Sequence, residues 1–353
     1  MSVHQKAVVG IALLLGVLGA GFIVTALFIS WHLAALLWLG VFTVFLACAT
    51  FFPVRTGNLA AVPRPCASFG ESLARFQAET EETAGRLNPL CYPQLLHHEA
   101  KADIAVVLIH GISSCPRAFV DFAPLLHGRG HNVLSVRMPC NGLKDRSTDA
   151  LNDLTAAKLA VFGDKAVDLA QGLGDRVVVL GISAGGTVAA WLAQTRRDVD
   201  HAILVAPFLG LPGIGLRLNL FLMRIMLVLP ATSVWKDPVL RERYTGMPHA
   251  YKRQSTRGTG EVLRLGYATA LRARDSAPAA EVITTVLNDN DQAIDNRVAD
   301  HLADLWETRG KSVTRYRFPK EAGLGHEIID PMEPGADPSL TYPVLAGFVE
   351  ERV

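Results

Sequence analysis

Hydrophobic positions follow two different patterns along this chain. Val8 to Ile29 and Leu33 to Phe52 are uncharged, mostly apolar runs separated only by Ser30-Trp31-His32. Each is long enough to cross a bilayer as a helix, and the tight turn between them predicts a transmembrane helical hairpin. Trp31 and His32 suit the interface. Gly16 and Ala20 form a small-xxx-small pair that permits close helix approach. The apolar stretch is too long for a signal peptide and lacks a basic n-region. A linker rich in Pro, Gly and Arg follows, and then Ala67 to Arg86 places Leu73, Phe76 and Leu87 at helical spacing.

Beyond residue 100 the apolar residues gather into short continuous runs, as buried parallel strands require. These are Ile104–Ile109, Asn132–Met138, Val177–Leu180, Ala202–Ala206, Glu281–Leu287 and Ser312–Phe318. Helical stretches alternate with them at Ala118–His127, Leu151–Leu173, Val298–Arg309 and Pro338–Arg352. Alternation of this kind predicts an α/β domain with a mostly parallel sheet and helices on both faces. Residues 208–280 break the rhythm. Within them Leu216–Leu229 is apolar apart from Arg217, Asn219 and Arg224, which suggests a buried cap helix or one lying in a membrane interface. Three regions follow: an anchor at 1–53, a linker with a flanking helix at 54–100, and an α/β domain at 101–353 with a cap at about 208–280.

Composition narrows the function. The chain has 353 residues, a formal net charge of +1 and no basic stripe, so nothing points to nucleic acid. Lys6, Arg55 and Arg64 lie at the ends of the expected hairpin, which predicts that the α/β domain is cytoplasmic. Against that, Cys66, Cys91, Cys115 and Cys140 permit two disulfides and an exported domain, with the pairing left open. No cysteine or histidine spacing suggests a metal.

The chemistry centres on Val177–Trp191, where a β-branched run meets Gly181-Ile-Ser-Ala-Gly185 and small helix formers follow. G-x-S-x-G between strand and helix is a nucleophile elbow, which raises Ser183 above the sheet and leaves the Ala184 N–H at a helix N-terminus. A dinucleotide fingerprint would need Gly at position 183. Serine needs a base in contact and an acid to orient that base, in the chain order Ser, acid, His. His326 on the Gly-rich loop after the last strand meets the first need. Asp289, Asp291 and Asp295 share the loop after the preceding strand. Asp291 is favoured because Ala293 and Ile294 can pack behind it, Asp289 is its rival, and Asp295 suits a helix cap. His110-Gly111 closes the first strong strand and offers the Ile112 N–H as an oxyanion donor, with His110 itself packing the loop.

Val106-Val-Leu-Ile-His-Gly111, Gly181-Ile-Ser-Ala-Gly-Gly186, Asn288-Asp-Asn-Asp291 and Gly325-His326 together resemble the α/β-hydrolase superfamily. The chain from about Leu90 onward is similar to bacterial carboxylesterases and monoacylglycerol-lipase-like enzymes, also grouped as serine-aminopeptidase-like hydrolases. The resemblance implies Ser183 as nucleophile, His326 as base, Asp291 as acid, Ile112 and Ala184 as oxyanion donors, and no cofactor. It departs at Pro139-Cys-Asn-Gly142, where relatives often read Pro-x-His-Gly, and in the cap. The expectation is a membrane-anchored serine hydrolase acting on a small-molecule or lipid acyl ester. Thioesterase, amidase or peptidase, acyltransferase and a non-catalytic binding module are the alternatives.

Overall fold

The computed structural model describes residues 19–25, 27, 30–51, 53–57, 59, 62–82 and 85–351. The chain divides into two compact units, Met1–Val54 and Arg55–Val353.

In the first unit the second apolar run forms helix α1 (Trp31–Phe51), 21 residues without a charge. Trp38 lies against Gly21, where a Cβ would come within 2.7 Å of the indole, and its Nε1–H donates to Thr25 Oγ1 at 3.1 Å. The expected transmembrane hairpin of two spans is not recovered. Among the described residues no helix is long and apolar enough to cross a membrane. Of the first run, only 19–25 and 27 are described as helix, so most of Val8–Ile29, Gly16 included, lies outside the described residues. The apolar side chains of α1 nonetheless face outward, with Leu33, Leu36, Leu39 and Val44 all more than half exposed.

The second unit is built on a seven-stranded sheet. Its strands are β1 (Gln94–Leu96), β2 (Ala102–Ile109), β3 (Asn132–Val136), β4 (Gly174–Ile182), β5 (His201–Val205), β8 (Val282–Asn288) and β9 (Thr314–Phe318), in the order β1-β3-β2-β4-β5-β8-β9. Only β1 runs antiparallel, against β3. The continuous apolar runs of β2, β4 and β5 are buried on both faces because helices cover both. On one face lie α2 (Phe69–Glu82), α4 (Ala156–Gln171), α5 (Ala184–Thr195) and α8 (Asn296–Glu307), with Trp191 and Trp306 as the largest buried side chains. The other face carries α3 (Phe122–Gly128) and α9 (Pro338–Glu350), packed through Phe119, Phe122, Tyr342 and Leu345. Two predicted helices begin late. Pro116–Phe119 and Ala150–Asp153 are 3₁₀ turns, and α4 starts only where the Thr155 hydroxyl accepts the Lys158 N–H at 3.1 Å.

Between β5 and β8 lie α6 (Gly215–Val228), the two-stranded β6 (Ser233–Trp235) and β7 (Arg253–Ser255), and α7 (Thr256–Asp275). On α6 only Asn219 and Met223 are buried, so it covers the fold loosely. α7 is different. Glu261 accepts the Ala156 N–H at the start of α4 (2.9 Å), and Val262, Leu265 and Ala268 are buried in the core. It belongs to the helical layer, so the loose part of the insertion ends near residue 255.

Of the four cysteines outside the N-terminal runs, Cys91 and Cys115 form a disulfide, while Cys66 and Cys140 are thiols. Arg196 at the end of α5 is 2% exposed and pairs with Asp168 (2.7 Å), Asp164 (3.3 Å) and Asp198 (2.7 Å), joining α5 to α4. Arg196→Met removes the cation that the buried Asp168 and Asp164 share. Urea unfolding should show a loss of about 3–5 kcal/mol, and an unchanged midpoint would contradict the pairing.

Candidate active site

The turn from β4 into α5 is the tightest backbone packing in the site. A Cβ on Gly181 would stand 2.1 Å from the Gly185 carbonyl oxygen, and one on Gly185 would stand 2.0 Å from that of Ile109. Only glycine fits either place. Between them Ser183 has φ 58° and ψ −118°, a conformation that non-glycine residues rarely adopt. Its backbone is pinned to the end of β5: the Ser183 N–H donates to Val205 O (3.0 Å) and the Phe208 N–H donates to Ser183 O (2.9 Å). The side chain is therefore presented at the C-terminal edge of the sheet, where open α/β sheets bind ligands.

Residues 183, 291 and 326 meet there. The Ser183 hydroxyl lies 2.9 Å from His326 Nε2, and His326 Nδ1 lies 2.7 Å from Asp291 Oδ2. Because a carboxylate only accepts, Nδ1 carries the proton and Nε2 is left to accept from the serine. Asp291 is held in turn by the Ala293 N–H, which donates to Oδ1 at 2.8 Å. The other two aspartates of the loop, the rival Asp289 and the expected cap Asp295, are occupied elsewhere. Asp289 pairs with Arg317 at 2.9 Å, and Asp295 caps α8 and pairs with Arg297 at 2.7 Å.

Residues 106–338 match the alpha/beta hydrolase family. The chain belongs to that family. No curated protein matches it in sequence. Among solved structures it is similar to one described with LipS and LipT, two metagenome-derived lipolytic enzymes, at 14% identity and a TM-score of 0.56, covering 76% of this chain and all of that one. A monoacylglycerol lipase from Paleococcus ferrophilus shares 16% identity (TM-score 0.54, 73% of this chain and 97% of that one). A soluble variant of monoglyceride lipase from Saccharomyces cerevisiae, in complex with a substrate analogue, shares 13% (TM-score 0.54, 73% and 91%). At these identities the likeness is one of fold.

In this alpha/beta hydrolase the loop over Ser183 is braced from below. The buried His110 ring donates from Nδ1 to Gly111 O (2.8 Å) and accepts the Met138 N–H at Nε2 (3.0 Å), which ties β2 to the end of β3. Burial lowers its pKa to about 3, so the ring stays neutral and acts as a strut. Asn141 stands at the position where relatives often carry histidine. Its Nδ2 donates to Ile112 O and to Ser114 O (3.1 Å), so it holds the turn that contains the Ile112 N–H. The sequence offered one sign of this, a polar residue in a loop at a strand's C-terminal end. Tyr251, from the inserted segment, adds its N–H to Ser113 O at 2.8 Å.

The cavity beside Ser183 is lined by the apolar residues Ile112, Phe208, Leu211, Met247 and Ala293 and by the polar residues Ser114, Lys236, Glu327 and Glu333. A second, apolar cavity among α6, α7 and α8 shares none of these residues. Among the described residues no cluster of His, Cys, Asp and Glu could hold a metal ion.

Glu327 was not expected from the sequence. Burial pushes its carboxyl up to about 8, Asp330 and Glu333 add to the rise, and His326 opposes it. For His326 burial works downward, but the hydrogen bond and charge of Asp291, with Glu327 and Glu333 behind, outweigh it and hold the imidazole above its ordinary value. The ring must be neutral to accept a proton, so protonation closes the site on the acid side. Asp291→Asn removes the main opposing contribution. NMR should show His326 titrating above an ordinary histidine in the wild type and at lower pH in the variant; equal values would contradict this assignment.

Proposed function

We propose that this protein is a serine hydrolase that cleaves carboxylic esters through an acyl-enzyme formed on Ser183. The observation that carries the reading is the unbroken series Ser183–His326–Asp291 at 2.9 and 2.7 Å. His326 Nε2 takes the hydroxyl proton as Ser183 Oγ attacks the ester carbonyl. The charge that develops on the carbonyl oxygen falls to the N–H groups of Ile112 and of Ala184, the first residue of α5. Preorganised donors of this kind matter because they stabilise charge only as it forms. His326 then returns the proton to the leaving alcohol. Water repeats the sequence and frees the acid.

The apolar lining residues Phe208, Leu211, Met247 and Ala293 suit an acyl chain. The lipolytic enzymes and monoacylglycerol lipases that share the fold support an ester substrate. No metal or organic cofactor enters this scheme. Thioester and amide cleavage would use the same atoms, and nothing in the cavity favours them over an oxygen ester.

We also infer that the protein associates with a membrane. Exposed contiguous apolar surface marks an interaction site, and the outward-facing leucines and valines of α1 form such a surface. The charge pattern favours a cytoplasmic catalytic domain, but the Cys91–Cys115 disulfide favours an oxidising compartment, and we give the disulfide more weight.

Ser183→Ala should lower kcat for a short-chain p-nitrophenyl ester about a thousandfold or more. Turnover within tenfold of wild type would rule out Ser183 as the nucleophile. In cell fractionation the full chain should sediment with membranes and be released by detergent. Recovery in the soluble fraction would contradict the association.

A further inference from the structure

The second cavity, among α6, α7 and α8, is a separate site with its own chemistry. Phe208 and Leu211 line the cavity beside Ser183, whereas Leu209 lines the second one and is only 8% exposed. Gly266 on α7 permits that placement, since a Cβ there would stand 2.8 Å from Leu209 Cδ2. Asn219 of α6 fixes the other end of this segment. It is buried, accepts the Leu211 N–H at 2.6 Å and donates to Gly215 O at 3.0 Å.

The lining of this cavity is largely apolar. α6 contributes Leu216, Leu220 and Met223, α7 contributes Leu263 and Leu271, and α8 contributes Leu302. Of its own residues α6 buries only Asn219 and Met223, so a ligand held beneath it does not displace a close-packed core. No aspartate or glutamate is among the lining residues, but Arg274, in the last turn of α7, is one of them. Arg274 is exposed and has no hydrogen bond or ion pair with the described residues. An apolar hollow with a free cation and no acid is complementary to a molecule with an apolar body and one negative end.

We propose that this cavity binds a fatty acid, with the chain among the leucines and Met223 and the carboxylate paired with Arg274. A guanidinium matches a carboxylate in shape as well as charge, because two of its N–H groups can meet the two oxygens. Inorganic phosphate or a short acid would leave the leucines uncovered, and a neutral alcohol would leave Arg274 unpaired. A fatty acid satisfies both parts at once. It is also the class of product that the proposed hydrolysis releases, but the site needs no catalysis and stands without that reading.

Photolabelling tests the site. The full-length chain is irradiated with dodecanoic acid carrying a diazirine on its chain, and the adducts are mapped by peptide mass spectrometry. Saturable adducts are expected within residues 215–228, 256–275 or 296–307, the three helices that line the cavity. Decanoate should displace them at a concentration about fivefold or more lower than decanol requires, since a hydrogen bond to a charged group is worth more than one to a neutral group. Arg274→Gln should remove that difference. Ala270→Phe, which fills the cavity from α7 and alters no residue that lines the Ser183 cavity, should abolish the adducts on these helices. Adducts confined to other parts of the chain, or equal displacement by decanoate and decanol in the wild type, would overturn the site. Ester turnover is not read in this experiment, so neither result bears on the hydrolase reading.

Discussion

Close backbone approach at the elbow is the constraint on which the site depends. Gly181 meets the Gly185 carbonyl and Gly185 meets Ile109 O at distances that admit no side chain. Any residue with a Cβ at either position would push β4, α5 and β2 apart. The strain at Ser183 persists because those contacts and the bond to Val205 O over-determine it. One serine hydroxyl then stands clear of the sheet, and a helix N-terminus begins at the next residue. In the proposed mechanism, neither His326 nor the Ile112 and Ala184 N–H groups would have a common target otherwise.

The loop opposite the elbow is held by parts of the chain far apart in sequence. His110 braces it from β2, Asn141 from the loop after β3, and Tyr251 from the insertion, while the Cys91–Cys115 disulfide anchors its far end. Tyr251 also donates from its hydroxyl to Cys140 O and accepts the Leu143 N–H, at 2.8 and 3.0 Å. A donor aimed at a developing oxyanion contributes fully only when it has no freedom to turn away. This many braces on four residues is what such a donor requires.

Much of this was legible in the sequence because it is written in local patterns. Short continuous Val/Ile/Leu runs alternating with helical stretches suit buried parallel strands, and the strands fell where those runs are. Ser183, Asp291 and His326 lie at the ends of such strands, so their meeting followed from topology. Helix α7 was illegible for a physical reason. Gly258, Gly260 and Gly266 interrupt the pattern of its segment, yet a Cβ at these three would come within 2.7–2.8 Å of Leu151 O, Met226 and Leu209. The glycines are there for close packing, not for turning. Asn141 and Glu327 were missed because their roles come from tertiary neighbours. In His326-Glu-Ile-Ile-Asp330, however, a carboxylate set among apolar residues beside the base was a visible irregularity. The two N-terminal runs went the other way: apolar composition alone suggested a hairpin of spans, and among the described residues no helix is long and apolar enough to be one.

The account stands or falls on Ser183 being the one activated nucleophile. Treating the folded full-length chain with a fluorophosphonate at neutral pH and mapping the adduct by peptide mass spectrometry tests this directly. The expected result is a single phosphonylated site, on Ser183. A folded protein that takes no label, or takes it on a different residue, would contradict it.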